Sequence, residues 1–340
     1  MIHGHGDDAN RYGDKVRLDF SSNSYNHADL QGLEDHLAKH MDDCLRHHPE
    51  SEPRELEWML AEQLHVPSEC VMVTSGVTEA IYLLAQLYSG YASVIPQPTF
   101  GEYAEACSMF GHIVSYRRND ELSHLPEERL YWVCNPNNPS GNVLMMGFMD
   151  YLVNHNRQYM FIVDQSYETY TREALFTPRE AVSRPNLVLL HSMTKQYGVP
   201  GLRIGYVTAC TSIISRLRKL RRPWSVNALA LEAGRWLVQH SESCIPDLDA
   251  YLNEAERLRS ELKKIRGLRM FESKSSFMLG MLENATSAEL KQYLIDEHGI
   301  LIRDCSDFEG LGNQFFRVTA QQPWENNQLI TAIEAFLMKG

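Results

Sequence analysis

Six short runs of apolar residues punctuate the middle of this chain: Cys70-Val71-Met72-Val73, Ala92-Ser93-Val94-Ile95, Tyr131-Trp132-Val133-Cys134, Met160-Phe161-Ile162-Val163, Leu187-Val188-Leu189-Leu190 and Gly205-Tyr206-Val207-Thr208. Each is apolar on what would be both faces of a strand, the pattern of strands buried in a mostly parallel sheet covered by helices on either side. Helical patterns such as Val77 to Tyr88 and Tyr103 to Phe110 lie between them. The alternation predicts a large α/β layered domain over roughly residues 45–235.

Beyond that point the rhythm changes. Pro246 to Ile265 reads as a long charged helix with Leu248, Leu252, Ala255, Leu258, Leu262 and Ile265 along one face. Alternating pieces at Ser275–Met281 and Phe315–Thr319 flank a helical pattern near Ser287–His298, and Trp324–Leu337 closes the chain as a further helix. This predicts a smaller α+β domain made of residues 1–44 with 236–340. A length of 340 residues suits two domains at roughly 150 residues each.

Composition excludes several classes. At 44% apolar the chain has too much to bury for a solvated coil. Thirty-two basic against 44 acidic residues leave a net charge of −12, which gives no overall attraction to nucleic acid or an anionic membrane surface. No apolar run is long enough to span a bilayer, and the start Met1-Ile2-His3-Gly4-His5-Gly6-Asp7-Asp8 is too polar for a signal peptide, so a cytoplasmic protein is expected. Seven cysteines never closer than 26 residues form neither a zinc spacing nor a disulfide framework and read as small core residues. The His3/His5/Asp7/Asp8 cluster lacks the rest of a buried site, and no metal is expected. The basic run Arg216-Leu217-Arg218-Lys219-Leu220-Arg221-Arg222 reads as a solvated helix face, with a nucleic-acid contact as the alternative.

In open α/β sheets ligands bind at the carboxyl ends of the strands, so the polar residues that follow the apolar runs are the candidates. Thr74-Ser75-Gly76-Val77-Thr78-Glu79 is a small turn opening a helix, either an ordinary connection or an anion cup of free backbone N–H groups. Asn135-Pro136-Asn137-Asn138-Pro139-Ser140-Gly141 is a stiff turn whose amides can also donate to a planar ligand oxygen. Asp164 ends an apolar run with Tyr167 three residues on; it is either a helix N-cap or a buried carboxylate that requires a cationic partner. Lys195 follows the fifth run in His191-Ser192-Met193-Thr194-Lys195, with Arg203 eight residues later. A partly desolvated lysine has a lowered pKa, which suits it to form a Schiff base. An anion cup, an aspartate, a tyrosine, an asparagine and a lysine together make the inventory that holds pyridoxal phosphate.

These stretches resemble fold-type-I pyridoxal-phosphate enzymes of the class I/II aminotransferase superfamily. Within it the chain is similar to the branch of histidinol-phosphate aminotransferase and L-threonine-O-3-phosphate decarboxylase, and looks closer to the latter. The specific stretches are Ser192-Met193-Thr194-Lys195 through Gly198-Val199-Pro200-Gly201-Leu202-Arg203-Ile204-Gly205-Tyr206, then Pro223-Trp224-Ser225-Val226-Asn227-Ala228-Leu229-Ala230, and Ile300-Leu301-Ile302-Arg303-Asp304-Cys305 with Gly310-Leu311 and Phe316-Arg317-Val318. The resemblance implies Lys195 as the lysine that carries the cofactor and moves protons, Asp164 at the pyridine nitrogen, Asn138 and Tyr167 at the ring oxygen, and Phe100 stacked on the ring. It places Gly76, Val77, Thr78, Ser192, Thr194 and Arg203 around the cofactor phosphate, with Lys195, Asp164 and Tyr167 catalytic. For the substrate it implies Arg317 at the α-carboxylate and Arg303 as a second anion anchor, with Asn138 also in contact and Asn23 and His3 on the loops that cover it. Two departures stand out. His48-Pro49 occupies the place of a Tyr-Pro pair whose tyrosine reaches the phosphate of the partner subunit, so the resemblance puts His48 in that role. His3-Gly4-His5 stands where the decarboxylase has His-Gly-Gly.

The function these features imply is decarboxylation of a phosphorylated amino acid in a cytoplasmic homodimer, in cobalamin side-chain synthesis. The alternatives are an aminotransferase of the histidinol-phosphate type and a non-catalytic regulatory protein on the same fold. Intact Lys195, Asp164 and Arg317 weigh against the last.

Overall fold

The computed structural model describes residues 8–118 and 130–339. The first strand, the two-residue β1 (Leu18–Asp19), finds its partner far along the sequence. Seven strands follow: β2 (Val71–Thr74), β3 (Ala92–Gln97), β4 (Ile113–Arg118), β5 (Leu130–Cys134), β6 (Met160–Asp164), β7 (Leu187–His191) and β8 (Gly205–Thr208). They form one sheet in the order β2-β8-β7-β6-β5-β3-β4. Only β8 runs antiparallel to its neighbours, so the sheet is mixed but mostly parallel, as expected.

Side-chain alternation explains why these strands sit inside. On β5, Leu130, Trp132 and Cys134 enter one helix-covered layer, while Tyr131 and Val133 enter the opposite one. On β7, Val188 and Leu190 divide from Leu187 and Leu189 in the same way. With both faces apolar, each strand is stable only between two layers of helices. All six apolar runs are strands of this sheet. The edge strand β4 was not foreseen, because Ile113-Val114-Ser115-Tyr116-Arg117-Arg118 is half-exposed and carries no buried signature.

A second sheet joins β9 (Leu268–Met270), β10 (Phe277–Leu282), β12 (Arg303–Asp304) and β13 (Phe315–Thr319) in the order β12-β13-β10-β9, while β11 (Ile300–Leu301) pairs in parallel with β1. The helices Leu248–Leu262, Ser287–His298 and Pro323–Lys339 cover it. Thr286 caps the second of these through a reciprocal box with Glu289. The N-terminal segment is stitched to this sheet: Phe20 N–H donates to Leu301 O at 2.8 Å, and Thr319 N–H donates to Phe20 O at 3.0 Å. The helix Gln31–Arg46, grouped by sequence with the small unit, packs on Ala228–Gln239, where a Cβ on Gly32 would lie 2.9 Å from the Trp236 ring.

The basic run departs from expectation. Arg218 and Arg221 are not solvated: they turn inward onto the buried Glu57 of helix Arg54–Leu64, each with an N···O distance of 2.8 Å. Burial pushes the Glu57 carboxyl up, and Arg221 works against that shift. No helix among the described residues is long and apolar enough to cross a membrane.

Candidate active site

The carboxyl ends of β2, β3, β5, β6 and β7 converge, with β12 and β13 opposite, on a cavity of about 630 Å³. At the β2 end the helix Gly76–Leu87 begins, so its first N–H groups point out of the helix with the positive end of the dipole. Val77 and Thr78 line the cavity there. Gly76 has φ +73°, and a Cβ on it would sit 3.0 Å from Nη2 of Arg203, itself a left-handed residue. A Cβ on Gly205 would meet His191 O at 2.7 Å and Val77 N at 3.2 Å. Glycine at these two positions keeps a concave cradle of N–H groups and a guanidinium open, a donor set suited to a phosphate.

At the end of β6, Asp164 is buried. Its Oδ1 accepts from Ser166 N–H at 2.9 Å and from the Ser166 hydroxyl at 2.6 Å, and its Oδ2 accepts from the Tyr103 hydroxyl at 2.6 Å. Burial raises its pKa, and the bonds from Ser166 and Tyr103 and the nearby His191 work against that rise. His191 is pinned between Glu168 at 2.8 Å and the Thr208 hydroxyl at 2.9 Å, with its ring stacked on Tyr206 at 4.5 Å. A neutral-donor cage around a buried carboxylate that opens on a cavity fits a cationic heterocycle N–H on its free side.

Lys195 sits in the short helix Met193–Gln196 directly after β7, where the Ser192 side chain accepts from its backbone N–H at 3.3 Å. Its Nζ lies 3.5 Å from the Ser24 hydroxyl. The Thr194 hydroxyl lines the cavity while donating to Ile204 O at 3.1 Å. Phe100 meets Tyr103 edge-on at 5.7 Å, and Tyr103 in turn stacks on Trp132. Tyr167 is buried edge-on against Phe277 at 4.8 Å, and burial pushes its phenol up.

The opposite wall is cationic. Arg303 and Arg317 are direct cross-strand partners on β12 and β13, so both side chains leave the same face of the sheet. Arg317 donates from Nη1 to Asn138 Oδ1 and from Nη2 to Ser21 O, both neutral acceptors. Burial and the like charge of Arg303 lower its pKa, while Cys305, Tyr167 and Asp19 counter that shift. Arg303 donates to Asp307 Oδ2 at 2.6 Å, with its guanidinium over the Phe308 ring. Asn23 accepts from the Thr319 hydroxyl at 3.0 Å.

Thirteen residues named from sequence therefore share the cavity wall: Asn23, Val77, Thr78, Phe100, Asn138, Asp164, Tyr167, Ser192, Thr194, Lys195, Arg203, Arg303 and Arg317. Gly76 lies beneath Arg203 rather than on the wall. His48 is not in the cavity of its own chain; it is exposed, its ring 5.8 Å from that of Trp224. His3 lies outside the described residues. Sequence reasoning missed Tyr103, Ser166, Ser21 and Asp307, all on the wall. Tyr103 stood three residues beyond Phe100 at the start of the helix Glu102–Met109, and that nearness was the available signal.

A lysine at one strand end, a caged aspartate at the next and an anion cradle across from paired arginines define the active site of an α/β enzyme that acts on an anionic substrate. The chain belongs to the aminotransferase class I and II family, whose model matches residues 15–333. It is 28% identical over 312 residues to the threonine-phosphate decarboxylase of Salmonella typhimurium, covering 87% of this chain and 84% of that one. It is 29% identical over 306 residues to the histidinol-phosphate aminotransferase of Aquifex aeolicus, covering 85% and 84%. The crystal structure of L-threonine-O-3-phosphate decarboxylase from Porphyromonas gingivalis superposes with a TM-score of 0.92 at 35% identity, over 94% of this chain and 99% of that one.

Proposed function

We propose that this enzyme holds pyridoxal 5′-phosphate in the cavity and decarboxylates a phosphorylated amino acid of the L-threonine-O-3-phosphate type. The observation that carries this reading is the Arg303–Arg317 cross-strand pair. Two buried guanidinium groups side by side repel unless an anion joins them, and Asp307 neutralises only the first. A substrate with a carboxylate and a phosphate supplies an anion for each fork.

Asp164 would hold the ring nitrogen as N–H, Phe100 the ring face, and Val77, Thr78, Ser192, Thr194 and Arg203 the phosphate over the glycine at position 76. Asn138 spends its oxygen on Arg317, which leaves its amide N–H groups for the ring oxygen beside Tyr167. When bound, the cofactor supplies an electron sink for a bond broken at the substrate α-carbon. Arg317 orients the α-carboxylate, and Arg303, released from Asp307, takes the phosphate. Lys195 Nζ delivers the proton that replaces the departing carboxylate. The Cα–carboxylate bond breaks, CO2 leaves, and the product is an aminopropanol phosphate, of use in cobalamin side-chain synthesis.

Amino transfer on the same wall is the second reading, favoured by the near-equal likeness to a histidinol-phosphate aminotransferase. The reading includes a cytoplasmic homodimer in which the exposed His48 reaches the phosphate of the partner subunit. The test compares L-threonine-O-3-phosphate with unphosphorylated L-threonine on cofactor-loaded protein. Turnover of the phosphorylated compound at least 100-fold above the other, abolished by Lys195→Ala, is expected. Equal turnover of both, or an active Lys195→Ala variant, overturns the assignment.

A further inference from the structure

Away from the cavity, two helices bring three metal-ligating side chains together. His36 and His40 are one turn apart on Gln31–Arg46 and share a face, their ring centroids 4.2 Å apart. Glu232 faces them from Ala228–Gln239, its Oε1 2.7 Å from Nε2 of His36. One ligand atom from each of the three lies within 4.8 Å of the other two. A tetrahedral zinc ion with bonds near 2.1 Å places its ligand atoms about 3.4 Å apart, so a small rotation of one ring closes the set.

We propose that His36, His40 and Glu232 form a binding site for a divalent ion of the zinc class, clamping the N-terminal helix to the helix Ala228–Gln239. The donor chemistry selects the ion: two imidazoles and one carboxylate suit zinc and its neighbours, whereas calcium and magnesium favour oxygen alone. The ligands are oriented in advance. His40 Nδ1 contacts His36 O at 2.8 Å, and a carbonyl only accepts. The proton of neutral His40 therefore sits on Nδ1, which leaves the Nε2 lone pair for a metal. Glu232 gives its second oxygen to Arg235 and keeps Oε1 toward His36. The two helices approach closely, since a Cβ on Gly32 would lie 2.9 Å from the Trp236 ring. His36 and Glu232 side chains are 25% and 16% exposed, which leaves an entry path and room for water as a fourth ligand. Upstream of the clamped helix, Ser21, Ser22 and Asn23 line the cavity, so the ion would steady one wall of the active site.

The test is zinc titration of chelator-washed, cofactor-loaded protein, read by calorimetry and by thermal unfolding. The clamp predicts one zinc per chain and a rise in Tm of several degrees at saturation. His40→Ala and Glu232→Gln should each weaken binding at least tenfold, while a His3→Ala/His5→Ala double variant should bind like the parent. Cobalt in place of zinc should give the visible absorption of a tetrahedral site in the parent and none in His40→Ala. No stoichiometric binding, binding that survives both single substitutions, or binding lost only in the His3/His5 variant overturns the proposal.

Discussion

The Tyr103 hydroxyl donates a 2.6 Å hydrogen bond to Oδ2 of Asp164, and Ser166 occupies the other oxygen, so every protein partner of this buried carboxyl is a neutral donor. Burial raises the Asp164 pKa, and the Tyr103 bond pulls the other way. A cationic ring nitrogen needs the carboxylate form, which disappears below the folded pKa. Cofactor affinity should therefore fall as pH drops through a point above the ordinary aspartate value of about 3.9. Tyr103→Phe should move that fall to higher pH and weaken cofactor binding about tenfold or more, the worth of one hydrogen bond to a charged group. The cofactor-free protein follows the opposite sign: a raised acid stabilises the fold at low pH and loses that contribution as pH rises through the folded pKa. Titrating the visible cofactor band against pH in both proteins checks this.

Arg317 bridges Asn138 and Ser21 with two Nη donors, and a lysine cannot replace that fork. Arg317→Lys should lower kcat/KM for the phosphorylated substrate about 100-fold, the equivalent of about 2.7 kcal/mol. Arg303→Gln should act mainly on KM, because that guanidinium is assigned to the remote phosphate. Steady-state kinetics on both variants distinguish the two anchors, and equal losses in kcat would contradict the assignment.

The Glu57 carboxylate, shared by Arg218 and Arg221, ties the helix Arg54–Leu64 to the end of helix Thr211–Arg218 and the residues just beyond it. Breaking a buried ion pair from one side leaves an uncompensated charge at a cost of about 3–5 kcal/mol. Glu57→Gln should destabilise by about 3 kcal/mol in urea unfolding. The double variant Glu57→Leu/Arg221→Met should lose less than the sum of its single changes, a coupling visible in a double-mutant cycle.

Burial pushes the Cys107 thiol to about 11 and the Cys134 and Cys305 thiols to about 12. Only Cys44 and Cys210 are part-exposed among the seven cysteines. A thiol-reactive chromophore at pH 8 should label two cysteines in the native protein and all seven after denaturation. Rapid native labelling of Cys134 would contradict the packing around Asp164.

The sheet was legible because its inner strands are apolar on both faces, a pattern few other structures produce. β4 escaped because an edge strand is half in water and looks like a loop. At the site, residues immediately after a strand were legible: Asp164 ends β6 and Lys195 follows β7 by four positions. Tyr103 was not, since its role depends on the helix after β3 carrying its hydroxyl to the end of β6. The inward turn of Arg221 depends on Glu57, 164 residues earlier, and no local pattern announces such a partner. Asp307 and Ser21 became visible only when β12, β13 and the N-terminal segment met in space.

The central claim is tested most directly by giving the cofactor-loaded enzyme L-threonine-O-3-phosphate labelled at the carboxyl carbon and following label and amine together. Release of labelled CO2 over many turnovers, matched one to one by aminopropanol phosphate with the cofactor spectrum restored, is the predicted result. A single turnover that retains the label and passes the amino group to the cofactor would contradict it and establish amino transfer instead.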